Sequence, residues 1–123
     1  MNPLAIALAA LAAFVFGLIY HRFVAPSRIG GPRLSLGTLA TMLISYLVAA
    51  WVLAGTLGHL GVGQVTLRNG LISAGFVWAG FIATALTLTL RLQGLGWRVI
   101  AAHAAHWLLA ALIMGAMIGG LGV

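Results

Sequence analysis

Apolar residues run almost unbroken through this chain in four stretches, and the polar positions fall between them. The stretches cover about residues 3–24, 35–59, 69–92 and 98–121. Each is close to the ~20 apolar residues a helix needs to cross a hydrocarbon core. A segment in lipid must satisfy its own backbone hydrogen bonds, which favours helices. The pattern therefore predicts an all-α fold, a four-helix transmembrane bundle forming a single transmembrane domain over 1–123.

The breaks carry turn chemistry. Pro3 suits a first helical turn, where its missing N–H has no helical partner to lose. Ala25-Pro26-Ser27 ends the first helix, because proline disfavours helical geometry in the residue before it. Gly55, Gly58, Gly61 and Gly63 loosen the end of the second stretch, and Gln93, Gly94 and Gly96 form the turn before the fourth.

Within each stretch small residues recur every four positions. The first has Ala5, Ala9, Ala13 and Gly17, with His21 continuing the row. The second has Gly37, Thr41, Ser45 and Ala49. The third has Gly75, Ala79, Ala83 and Thr87, and the fourth has Ala111, Gly115 and Gly119. Apolar surface gives little drive between helices in lipid, so close packing along such faces must hold a bundle together. These ladders are the expected helix-packing faces. Tyr46 and Trp51 lie inside the second span, and their O–H and N–H groups need partners on other helices or at an interface.

Composition sharpens the picture. The chain has 123 residues, 63% hydrophobic and 5% charged, against roughly 25% charged in soluble domains. Mean hydropathy is +1.20. The six charged side chains are all arginines, with no Asp or Glu. A strongly basic balance can signal nucleic acid, but these arginines stand singly at the ends of apolar runs, as membrane-interface anchors do. There is no cysteine, hence no disulfide framework. No basic residue precedes the first apolar run, and Arg22 follows it, so the first segment is expected to be a retained helix and not a secretory signal.

Candidate chemistry is sparse. His103 and His106 stand three apart and project from one side of the fourth helix. His21 closes the first helix on the same membrane side, so the three imidazoles form a candidate cofactor site for a haem or chlorin. No carboxylate exists to orient an imidazole, which weighs against a metal site. The absence of Asp and Glu also leaves Ser35, Ser45 and Ser73 without a triad partner and removes the buried carboxylate on which coupled transporters rely. The expectation is a protein that is not an enzyme. Arg22, Arg28, Arg33, Arg91 and Arg98 are candidate contacts for lipid phosphates or for acidic groups on a partner.

The runs GLISAGFVWAGFIATALTLTL (Gly70 to Leu90) and HAAHWLLAALIMGAMIGG (His103 to Gly120), with Phe16-Gly17 and Tyr20 in the first segment, resemble a bacterial family catalogued as domain of unknown function 1761. The resemblance implies a small four-helix integral membrane protein, with no activity or ligand attached. Of the candidate residues it carries over only the histidine near the start of the last helix, best matched by His106. The chain departs from the family pattern in having His21-Arg22 after the tyrosine, where a Ser-Pro turn is usual. It also has Gln93, Gly94, Leu95 and Gly96 where polar or acidic residues are usual.

Function is expected to be that of a non-catalytic accessory subunit packing against a larger membrane complex, respiratory or photosynthetic, and against membrane lipids. The alternatives are a histidine-ligated haem or pigment protein, and a small homo-oligomeric transporter or lipid-handling protein. Five arginines fall in the first and third loops and one, Arg68, in the second. By the positive-inside rule both termini then lie on the outer, periplasmic side of a bacterial inner membrane. A C-terminal reporter that works only in the cytoplasm is expected to stay silent; activity from it would reverse the orientation.

Overall fold

The computed structural model describes residues 1–24 and 34–122, and the four expected helices are all present. They are α1 (Pro3–Phe23), α2 (Leu36–Gly58), α3 (Leu67–Leu92) and α4 (Trp97–Leu121), each long and apolar enough to cross a membrane. There is no strand among the described residues.

Side-chain caps set the starts. The Asn2 side chain accepts from the Ala5 N–H, the Ser35 hydroxyl oxygen from that of Thr38, and the Thr66 hydroxyl oxygen from that of Asn69. Each satisfies a first-turn N–H that has no helical partner. Thr66 explains why α3 begins two residues before its expected start at 69: the polar Arg68 and Asn69 are drawn into a capped first turn. Gly94, at φ +81, makes the turn into α4 in a conformation that favours glycine.

α4 is the hub. It touches all three other helices, while α1 and α3 lie on opposite sides and do not meet among the described residues. In its most apolar stretch 39% of α4 is buried, against 6% for α3. α1 presents Ala5, Ala9, Ala13 and Gly17 to the core, and α4 presents Ala111, Gly115 and Gly119 together with Met114 and Ile118. These are the faces expected from the ladders.

The other two faces are rotated from expectation. On α2, Gly37 and Thr41 are exposed and Ser45 and Ala49 only half-buried. The core face is the neighbouring row, Tyr46, Ala50, Leu53, Ala54 and Leu57. The physical reason is Tyr46: its ring fills the space beside Gly17 and its hydroxyl finds a partner only by facing α4. On α3, Ala79 is exposed, Gly75, Ala83 and Thr87 are half-buried, and the row that packs is Gly70 and Ala74. A methyl group placed on Gly70 would strike the Gly115 carbonyl, one on Gly115 would strike the Gly70 carbonyl, and one on Gly119 would strike that of Thr66. A methyl on Gly75 or Gly80 would meet nothing within 4 Å. The tight contact therefore belongs to the first turns of α3 and the last turns of α4.

Beyond that contact α3 changes winding. Trp78–Ala83 is a π-helical segment between the α-helical Leu67–Val77 and Thr84–Leu92. No proline causes it. The Trp78 indole N–H donates to the Ala104 carbonyl of α4 at 2.9 Å, which fixes this part of α3 against the hub.

Gly115→Val is expected to lower stability by about 2–3 kcal/mol, the upper part of the range for overpacking, because the clash is with backbone. Gly75→Ala should change it by less than ~0.5 kcal/mol, as is usual for substitutions away from packed features. Denaturant titration in detergent micelles checks both, and equal effects at the two glycines would contradict the assigned seam.

Candidate functional site

The polar side chains that the bundle buries gather in one half of it, between the middle and the arginine-bearing end. α1 brings Tyr20 and His21 from its last turn, α2 brings Tyr46, and α4 brings His103, His106 and Trp107. This is the end that carries Arg22, Arg91 and Arg98. His106 lies nine residues into α4 and Tyr46 ten residues into α2, roughly 13–15 Å along their axes. In a hydrocarbon core ~30 Å thick that depth is near the midplane.

His106 is 4% exposed and Tyr46 2%. The Tyr46 hydroxyl and His106 Nε2 are hydrogen-bonded at 2.6 Å, across 60 residues of sequence. With the proton of the imidazole on Nδ1, the hydroxyl donates and Nε2 accepts. Gly17 makes the bond possible: a methyl group there would overlap the Tyr46 hydroxyl. Rings enclose the pair. Phe16 stacks nearly parallel to the imidazole, at 6.1 Å and 7°, and Trp107 meets it edge-on at 5.1 Å. Tyr20 donates to the Ala102 carbonyl at 2.6 Å and ties α1 to α4 one turn away.

Of the three candidate histidines, His21 and His106 are adjacent, with ring centroids 4.7 Å apart at 71°. His21 Nδ1 donates to the Gly17 carbonyl of its own helix at 2.8 Å. His103 joins them as a wall of the same cavity. Among the described residues no group of three or more His, Cys, Asp or Glu side chains is arranged to hold a metal ion. His59 is at the opposite end, bonded to the Gly55 carbonyl.

The cavity has a volume of about 200 Å³ and reaches from Thr38 and Thr41 on α2 down to Tyr46 and His106. Pockets for drug-sized ligands run roughly 300–1,000 Å³. A haem or chlorin ring bound at His106 would need more room than this and would have to displace Tyr46 from Nε2. The geometry suits a smaller group that forms hydrogen bonds.

The candidate arginines are dispersed. Arg22, Arg91 and Arg98 are exposed, and Arg28 and Arg33 lie outside the described residues. Arg91 is committed to the turn before α4: its guanidinium sits 4.6 Å from the Trp97 ring centroid and donates to the Leu95 carbonyl at 3.1 Å. The sequence signalled Tyr46 only through the general need of a buried phenol for a partner. Nothing in the spacing indicated that the partner is His106, nor that Gly17 supplies the space.

Tyr46→Phe and His106→Leu, made singly and together, are expected to show a coupling of about 1 kcal/mol, within the ~0.6–1.7 kcal/mol found for hydrogen bonds between membrane helices. A double-mutant cycle on unfolding in detergent gives the value. Strict additivity would mean that the bond contributes nothing.

A family model described as protein of unknown function (DUF1761) matches residues 4–119. No curated protein and no solved structure matches the chain. The matched region runs from the first turn of α1 to the last turns of α4, so it takes in all four spans, the glycine seam and the His106–Tyr46 pair. The chain is a four-helix member of the DUF1761 family.

Proposed function

We propose that this chain is a non-catalytic accessory subunit of a larger assembly in the bacterial cytoplasmic membrane, with both termini on the outer side. The observation that carries the reading is the bareness of α3. Its first turns are locked to α4, yet Phe76, Phe81, Leu88 and Leu92 are 62–79% exposed. Small residues, Ala79 and Gly80, lie exposed between them. Large side chains bordering a small-residue gap make a surface into which another helix can settle closely, which is how helices recognise one another in lipid. The lack of any Asp or Glu supports a role without acid–base chemistry.

Purification from native membranes in mild detergent is expected to yield the chain in a particle heavier than its own 12.7 kDa, with a second protein identified by mass. Gly80→Leu adds bulk to the open face where nothing lies within 4 Å. It should release the partner while leaving the isolated bundle as stable as before. A chain that always purifies alone contradicts the proposal.

A further inference from the structure

The polar chamber has an apolar annex. A second cavity of about 440 Å³ lies in the cleft between α2, α3 and α4, walled by Ile44, Val48, Ala49 and Ile82. Ser45 and Trp107 line both spaces. Ile82 belongs to the π-helical segment of α3, and such segments often occur at functional sites. Side by side at Ser45 and Trp107, the two cavities have the arrangement of a headgroup site and a tail groove.

The lining says what the headgroup must be. His103, Ser45 and Trp107 carry hydrogen-bonding groups that bond no other described residue. No carboxylate exists to hold a cation, and among the described residues neither Arg nor Lys lines the chamber to hold an anion. An ion at this depth would lack a fixed counter-charge, which is costly. A neutral group that accepts hydrogen bonds meets the donors offered, and the flat faces of Trp107 and the imidazoles suit a planar ring. The annex offers only apolar side chains beyond Ser45 and Trp107, so whatever leaves the chamber by that route is hydrocarbon.

We propose that the chamber and annex bind a quinone-class lipid. Its carbonyl-bearing ring sits beside His103, Ser45 and Trp107, above the Tyr46–His106 pair, and its single hydrocarbon tail lies in the α2–α3 cleft along Val48, Ala49 and Ile82. Ser45 is the junction. The site faces the membrane leaflet on the arginine side, so the ligand enters from lipid and needs no aqueous path. Binding is an attribute of the isolated chain and stands apart from whether α3 has a partner.

The test is binding to the purified chain in nanodiscs, with ligand expressed as mole fraction in the lipid so that simple partitioning is removed. Decylubiquinone is titrated against tryptophan fluorescence, with tailless duroquinone and with decanoate in parallel. Saturable quenching by decylubiquinone is expected, and Trp107→Phe should abolish its saturable part. Ala49→Phe fills the annex and should weaken decylubiquinone at least tenfold while leaving duroquinone unchanged. His103→Ala removes a donor and should weaken both by a factor of about 2–10, the value of one hydrogen bond. Circular dichroism and particle mass confirm that each variant is folded. Quenching that never saturates overturns the proposal. So does an Ala49→Phe variant that treats the two quinones alike, or decanoate binding more tightly than decylubiquinone, which would make the chamber an acid site.

Discussion

The bundle depends on one backbone contact. At Gly70, Gly115 and Gly119 the third and fourth helices approach until no side chain fits between them. Lipid tails are as apolar as leucine, so leucine on this surface would gain little by leaving the lipid. Close approach changes that balance, since dispersion falls off steeply with even a small gap. Glycine is the residue that lets two helix backbones come within that range. The cost in helix propensity is small where the alternative is water-free lipid, because an unwound segment there would leave its own backbone groups unsatisfied.

From this contact the rest of the architecture follows. The start of α3 is anchored to the end of α4, and its second half, which includes the π-helical segment, stays on α4, with Trp78 bonded to the Ala104 carbonyl, but does not pack on α2 among the described residues. The cleft lined by Val48, Ala49 and Ile82 lies there, between α2 and α3. On the other side of α4 the α1 ladder of alanines brings that helix in, and Gly17 leaves room for the Tyr46 hydroxyl to reach His106. At one end of the bundle α3 and α4 are sealed together by glycine, beside a cavity of about 460 Å³ lined by Gly55, Gly58 and His59. The other holds the chamber lined by hydroxyls and imidazoles. A polar group at this depth is expensive unless it is bonded, and the buried Tyr46 hydroxyl and His106 Nε2 meet that cost by bonding each other.

The sequence was most informative about length and least about rotation. Four apolar runs between glycine- and proline-rich breaks specify four spans, and the positions of Asn2, Ser35 and Thr66 as caps account for the starts to within two residues. In a soluble helix the apolar stripe also tells which face is inward. Here every face is apolar, and small-residue rows exist on more than one. For α1 and α4 the ladder and the buried face coincide. For α2 the row Gly37, Thr41, Ser45 and Ala49 competes with the row through Tyr46, and the need of a phenol for a partner decides the matter. For α3 the longer row from Gly75 loses to Gly70 and Ala74, because only these stand opposite the glycines of α4. The candidate site was legible as three histidines on one membrane side. Its pairing was not, since a contact between residues 46 and 106 depends on rotations that no local spacing encodes.

The direct measurement of the central contact is magnetic resonance on the chain labelled at glycine in detergent or nanodiscs. A methyl group placed on Gly70 would come 3.2 Å from Gly119 Cα, so the Hα protons of these two glycines lie close together. A cross-peak between them, with none linking Gly75 to any glycine of α4, is the result this account predicts. No Gly70–Gly119 cross-peak, and one from Gly75 to Gly115 in its place, would show that the helices meet along the other row and would contradict it.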